Sequence, residues 1–389
     1  MTEKRFIPYG RQDISEADIA AVVEVLRSDW LTQGPAVENF ERAVAEYCGA
    51  RYAVAVANGT AALHLAALAA GFAAGDEVIT TPITFVASAN CIVYAGATPV
   101  FADIDPRSYC LDPEQVRRKI THNTRGLIPV HFAGQPCDMA ALAAIARENN
   151  LLVIEDAAHA IGASYEVDGA TYKVGCCAHS DMTIFSFHPV KHMTTGEGGM
   201  ITTNNTELYE KLLMLRTHGI TKDPAQLNRN DGPWYYEQQT LGFNYRITDI
   251  QCALGLSQLQ RLDISVDRRR EIVSVYNQAF SGHPNLTVPY EYASSQSSWH
   301  LYMLGLKGVD RARVFDHLRE QGLGVNVHYI PVHLQPYYMD HFGTSDGDFP
   351  MAEAYYERVI TLPLYPGMTH DDVEYVIAAV KGAVIGGGL

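Results

Sequence analysis

The sequence predicts an α/β protein, a mostly parallel sheet wrapped by helices and followed by a smaller α+β domain. Three observations lead there. Strand and helix patterns alternate between residues 52 and 203. Strands such as Leu151-Leu-Val-Ile154 are apolar throughout, as happens when helices cover both sheet faces. After a long helical stretch, about 248–280, the order changes to strand, helix, strand, helix, helix. With 389 residues, 47% of them hydrophobic, the chain can bury two cores. The expected division is 1–255 for a large ligand-binding domain with an N-terminal helical segment, and 256–389 for the small one.

The elements follow from local pattern. Residues 13–30 read as a helix: Ser15 and Asp18 form a capping-box pattern, and Ile19, Val22, Val23 and Leu26 share one face. Val37, Phe40, Val44 and Tyr47 mark a second helix ended by Gly49. Strands are expected at 52–57, 77–81, 98–103, 126–131, 151–155, 181–187 and 199–203, with helices at 113–120, opened by Asp112-Pro113, and at 138–149. Beyond the long helix come strand 299–306, helix 311–321, strand 325–330, helix 350–359 and a last helix opened by Thr369 and Asp371. The closing Gly-Gly-Gly reads as a frayed tail.

Composition excludes several functions. A net charge of -15 argues against nucleic acid as the main partner. The run Arg268-Arg-Arg270 lies near Asp263 and Asp267 and reads as a solvated helix face, with a phosphate contact as its competing role. Seven cysteines without CxxC spacing point to reduced thiols in a cytoplasmic protein and away from zinc. No stretch has the length of a signal peptide core or a membrane span, so no membrane role is expected.

The chemistry concentrates around one lysine. In Phe185-Ser-Phe-His-Pro-Val-Lys191, an apolar strand runs into Lys191 and then into a turn built on Gly196, Gly198 and Gly199. Desolvation there would lower the amine pKa and leave it nucleophilic toward carbonyl groups, the aldehyde of pyridoxal phosphate among them. Asp156 ends an apolar strand, where a parallel sheet offers its ligand site. It could hold a pyridine nitrogen protonated, or simply cap the next helix. Asn58-Gly59-Thr60-Ala61 opens an Ala-rich helix whose free amides could take a phosphate; the same residues also make an ordinary turn. Ser186 could add a phosphate contact or bond locally. Phe85 could stack on a flat ring or belong to the core. His159, three residues after Asp156, could bond that carboxylate, face a cofactor, or sit satisfied in the core. No GxxxxGK[ST] or GxGxxG is present, which removes the main support for nucleotidase and nicotinamide readings.

Taken together, SFHPVKHMTTGEGG, NGTAALHLA, TPITFVASAN, IEDAAHAIGA and GFNYRITDIQCALGLSQL resemble the DegT/StrS-type nucleotide-sugar aminotransferases, over about residues 10–380. The resemblance implies pyridoxal 5'-phosphate as cofactor and the fold-type I architecture, a seven-stranded mostly parallel sheet with a small C-terminal domain. It assigns Lys191 as covalent anchor, Asp156 as partner of the pyridine nitrogen and Phe85 as the stacking residue. Gly59, Thr60, Ala61 and Ser186 fall at the phosphate, and His159 stands near the ring hydroxyl, where many relatives have Gln or Ser. Asn244 would reach the phosphate of a neighbouring subunit, which implies a homodimer with shared active sites.

Within the family the sequence most resembles the members that aminate C4 of UDP-4-keto-6-deoxy-N-acetyl-β-L-altrosamine in pseudaminic acid biosynthesis, with L-glutamate as donor. The segments behind that expectation are Leu31-Thr-Gln-Gly34, Phe187-His188-Pro-Val-Lys191, Trp299-His-Leu-Tyr302 and Val327-His328-Tyr329-Ile-Pro331. Arg246, Lys222, His328 and His333 are candidate diphosphate contacts, with Tyr329 and Tyr337 as sugar-pocket walls; each could equally be structural. Competing readings are amination of another UDP-, GDP- or dTDP-linked keto sugar at C3 or C4, a pyridoxamine-dependent sugar dehydratase, in which the lysine would be replaced, and a non-catalytic sugar sensor.

Overall fold

The computed structural model describes residues 5–385; the Gly-Gly-Gly tail lies outside them. Seven strands form one sheet in the order Tyr52–Val56, Gly199–Thr203, Met182–Ser186, Leu152–Asp156, Thr124–Ile128, Glu77–Thr80, Thr98–Phe101. Gly199–Thr203 runs antiparallel to both neighbours, and the other strands are parallel to one another. Alternate residues feed two cores, as the two-residue repeat of a strand requires. Ala53, Ala55, Ile79, Leu127, Val153 and Phe185 pack with helices Pro35–Cys48 and Met139–Asn149. Val54, Val56, Val78, Ile128, Ile154 and Ile184 pack with helices Gly59–Ala69, Ala87–Tyr94 and Thr206–Arg216. The predicted sheet and its fold class are therefore present.

The C-terminal part has its own core. Strands Leu286–Thr287, Tyr302–Leu306 and Val359–Leu362 make an antiparallel sheet against helices Leu262–Phe280, Arg311–Glu320 and His370–Ile385. Thr369 caps the last helix by exchanging hydrogen bonds with Asp372.

Three expectations need correction. The long helix is two, Asp249–Leu259 and Leu262–Phe280. The chain turns at Arg261, whose guanidinium bonds Asp13 and Asp18 at 3.0 and 2.8 Å. No strand spans 325–330: Leu323–Gly324 pairs with Ile7–Pro8, and Asn326 bridges to Thr361. The Asn326 carboxamide accepts the Val327 amide at 2.8 Å, which competes with a ladder and releases the chain into a loop. Helix Glu16–Leu26 forms with its Ser15–Asp18 capping box, yet Ile19 and Leu26 on its apolar face are about half exposed. The short strands Ser164–Val167 and Ala170–Lys173 and helix Pro336–Phe342 escaped the sequence pattern.

Candidate active site

Beyond the carboxyl ends of the parallel strands lies a cleft of about 700 Å³. Each wall segment follows a strand: Asn58–Ala61 after Tyr52–Val56, Thr84–Ser88 after Glu77–Thr80, Asp156 at the end of its strand, and Ser186 at the end of Met182–Ser186. Tyr9, Tyr245, His328 and Tyr329 close the remaining sides.

Asp156 is buried, 4% exposed, and lines the cleft. Ser88 Oγ donates to Oδ2 at 2.6 Å and the Ala158 amide donates to Oδ1 at 3.1 Å. Burial raises this carboxyl's pKa, while the Ser88 bond, the Ala158 amide and the Lys191 charge pull it back. The site therefore presents a desolvated carboxylate whose negative charge lacks a bonded cation, which suits a ring N–H cation in the cleft.

Lys191 reaches the same cleft from the turn after Met182–Ser186. Burial lowers its pKa to about 8, against the opposing pull of Asp156. Its Nζ lies 3.5 Å from His300 Nε2. At pH 7 about one amine in ten is then neutral, against about one in three thousand for an ordinary lysine.

Helix Gly59–Ala69 points its first turn into the cleft. Asn58 Oδ1 accepts the Ala61 amide at 2.8 Å, and the amino-terminal dipole favours an anion there. Ser186 packs against this turn so closely that a Cβ on Gly59 would stand 2.9 Å from the Ser186 Cβ. Phe85 also lines the cleft and is 57% exposed, an apolar ring open to whatever binds. His159 bonds neither Asp156 oxygen. Its Nδ1 accepts the Ala133 amide at 3.3 Å, which leaves the proton on Nε2, 3.2 Å from the Tyr329 hydroxyl. Burial and the nearby Lys191 charge hold it well below the usual imidazole pKa, hence neutral.

The cleft thus gathers Gly59, Thr60, Ala61, Phe85, Asp156, His159, Ser186, His188, Lys191, His328 and Tyr329. His328 Nδ1 is 2.9 Å from Thr361 Oγ1, and burial pushes its pKa down to about 4. His188 stands exposed at the rim.

Other candidates lie elsewhere. His333 is fully buried and bonds Glu353 at 2.9 Å, away from the cleft. Its position in the short 3-10 turn Val332–Leu334 turns it inward. Arg246 lines a second cleft of about 690 Å³ together with Glu41 and Arg216. Asn244 is exposed and bridges to Thr217, and Lys222 is exposed outside the cleft.

Ser88 and His300 are contacts the sequence reading missed. Ser88 had a signal, since it falls one helical turn after Phe85. The proximity of His300 to Lys191, 109 residues away, had none. Among the described residues, no group of three or more His, Cys, Asp or Glu side chains is placed to hold a metal, and no helix is long and apolar enough to cross a membrane.

A buried carboxylate, a low-pKa lysine, an open aromatic face and a helix amino terminus around one cleft fit pyridoxal phosphate. Its aldehyde would fall to Lys191, its ring nitrogen to Asp156 and its phosphate to Gly59–Ala61 and Ser186. Comparison with known proteins agrees on the cofactor. The profile of the DegT/DnrJ/EryC1/StrS aminotransferase family matches residues 12–381. The chain is 44% identical over 393 residues to the spore coat polysaccharide biosynthesis protein SpsC of Bacillus subtilis, covering 99% of this chain and 100% of that one. Helicobacter pylori PseC, an aminotransferase of pseudaminic acid biosynthesis, superposes with a TM-score of 0.90 at 30% identity, covering 98% of this chain and 100% of that one. The sugar aminotransferase Spr1654 of Streptococcus pneumoniae, solved with pyridoxal phosphate, gives a TM-score of 0.91 at 32% identity over 98% of this chain and 99% of that one; its pyridoxamine phosphate form is also known. The chain is a member of the DegT/DnrJ/EryC1/StrS family, a sugar aminotransferase that works with pyridoxal phosphate.

Proposed function

We propose that this enzyme moves the amino group of L-glutamate to C4 of a UDP-linked 4-keto-6-deoxy-N-acetylhexosamine, the amination step of pseudaminic acid biosynthesis. The observation that carries the chemistry is the placement of Lys191 and Asp156 in one desolvated cleft. The likeness to PseC supports the sugar.

Pyridoxal phosphate, when bound, supplies an aldehyde that captures amines and a ring that accepts electrons from the adjoining carbon. The protein's part is anchorage and proton traffic. Lys191 would hold the cofactor through its amine and give it up to the donor amine. The freed Nζ, neutral often enough at pH 7 to act as a base, would take the proton from Cα of glutamate. In the second half it delivers a proton to the sugar carbon that receives nitrogen. Asp156, held by Ser88 and the Ala158 amide, would keep a negative charge opposite the ring nitrogen. Phe85 would lie against one ring face and keep water from it. Tyr329 and His159 form a neutral hydrogen-bonded pair on the cleft wall. His188 and His328 border the space left for the sugar nucleotide.

A homodimer belongs to this reading. Asn244 is exposed, as a residue serving a neighbour's phosphate must be, and Trp30 and Leu31, shortly after helix Glu16–Leu26, are about half exposed. The likeness to SpsC favours a second reading, in which the acceptor is another nucleotide-linked keto sugar destined for a polysaccharide. A panel of nucleotide keto sugars, assayed for glutamate-dependent amine formation, separates them. Selective turnover of the UDP-4-keto-altrosamine sugar supports the first. Selective turnover of a GDP- or dTDP-linked sugar overturns it and leaves the family chemistry intact.

A further inference from the structure

We propose that His300 positions the Lys191 amine, its Nε2 accepting a hydrogen bond from Nζ. The inference rests on Lys191 being the reacting amine, as argued above.

His300 belongs to the segment leading into strand Tyr302–Leu306, and its backbone is pinned on both sides. Its amide donates to Ala133 O at 2.8 Å. Its carbonyl accepts from the guanidinium of Arg269 at 3.3 Å, which also donates to Leu364 O at 2.8 Å and Trp299 O at 3.4 Å. Arg269 is 1% exposed and bonds three backbone carbonyls, so the peptide that carries His300 is tied to a fixed cation. The ring is held as firmly. It packs between His159, 4.3 Å away centre to centre, and His192, 5.5 Å away.

The polar contacts of that ring leave one role open. Nδ1 is buried and has no partner among the described residues, and Nε2 lies 3.5 Å from Lys191 Nζ. A buried imidazole with one nitrogen orphaned gains its hydrogen bonding from the other. Its neighbours have their own partners: His192 Nε2 donates to Ser298 O at 2.9 Å, and His159 takes the Ala133 amide.

The titratable groups around this ring come from several elements. Lys191, Arg269, His159 and His192 face His300. His192 also faces Arg270, while Lys191 faces Asp156, His159 and His328. Cations dominate, and they oppose a further positive charge on the ring. A neutral His300 can only accept from an ammonium. The imidazole lone pair then gives the lysine a directional contact, beside the more distant charge of Asp156.

The test uses cofactor-free protein. Wild type, His300→Phe and His300→Gln are labelled with limiting acetic anhydride over a pH series, and acetylation of the Lys191 peptide is read by mass spectrometry against surface lysines. Removing an acceptor from a buried ammonium favours the neutral amine, so His300→Phe should lower the Lys191 midpoint by about one pH unit. His300→Gln, whose amide oxygen can accept, should restore most of it. Should the Phe variant fail to fold, His300→Asn, with a shorter amide, takes its place with the same expected drop. An unchanged midpoint overturns the proposal. A raised midpoint also does, because it would show His300 as a cation repelling the lysine. Borohydride trapping of the cofactor on wild-type protein asks the separate question of whether Lys191 is the anchor, so the two claims fail independently.

Discussion

The Ser88 hydroxyl donates to Asp156 at 2.6 Å, and this bond stabilises the charged form of a carboxylate that burial pushes toward protonation. Ser88→Ala should raise the Asp156 pKa further and cost about tenfold in turnover near neutral pH. The sign is definite: the loss should shrink as pH rises, because alkali restores the carboxylate that the hydroxyl no longer holds. Turnover of the two proteins from pH 6 to 9 checks it.

Lys191→Ala removes both anchor and proton carrier. Turnover should fall by at least about a thousandfold. Retained secondary structure by circular dichroism would show that the fold survives, and glutamate consumption measures the loss.

Lys191 has its pKa lowered to about 8 by burial, so its neutral, reactive form grows with pH up to that point. Capture of pyridoxal phosphate by cofactor-free enzyme should speed up roughly tenfold per pH unit below 8 and level off above it. Stopped-flow absorbance gives the profile. An increase continuing past pH 10 would mean an ordinary surface lysine.

Gly199 meets the phosphate-end turn at close range: a Cβ there would stand 2.4 Å from the Asn58 carbonyl oxygen. Gly199→Ala must displace backbone, so it should cost about 1–3 kcal/mol in unfolding free energy and weaken cofactor binding as the start of helix Gly59–Ala69 shifts. Chemical denaturation and cofactor titration measure the two effects.

Much of this architecture was legible locally. Apolar strands such as Leu152–Asp156, each ending in a turn signal, give a parallel sheet, and a parallel sheet puts Asp156 and Lys191 at the same end. The break at Arg261 was not legible, because the helical period continues across it and only the distant Asp13 and Asp18 explain the turn. His333 was open to either a diphosphate contact or a structural role; the 3-10 turn sends it to Glu353. His300 stayed hidden for the opposite reason. Its partner is 109 residues away, and no local pattern encodes that meeting.

The central claim is that Lys191 is the amine that holds the cofactor and surrenders it to glutamate. Borohydride reduction of the holoenzyme, followed by peptide mass spectrometry, tests it directly. Cofactor mass should appear on the peptide containing Lys191 and disappear when L-glutamate is added before reduction. Cofactor fixed to another residue, or trapping on Lys191 that glutamate leaves untouched, would contradict it.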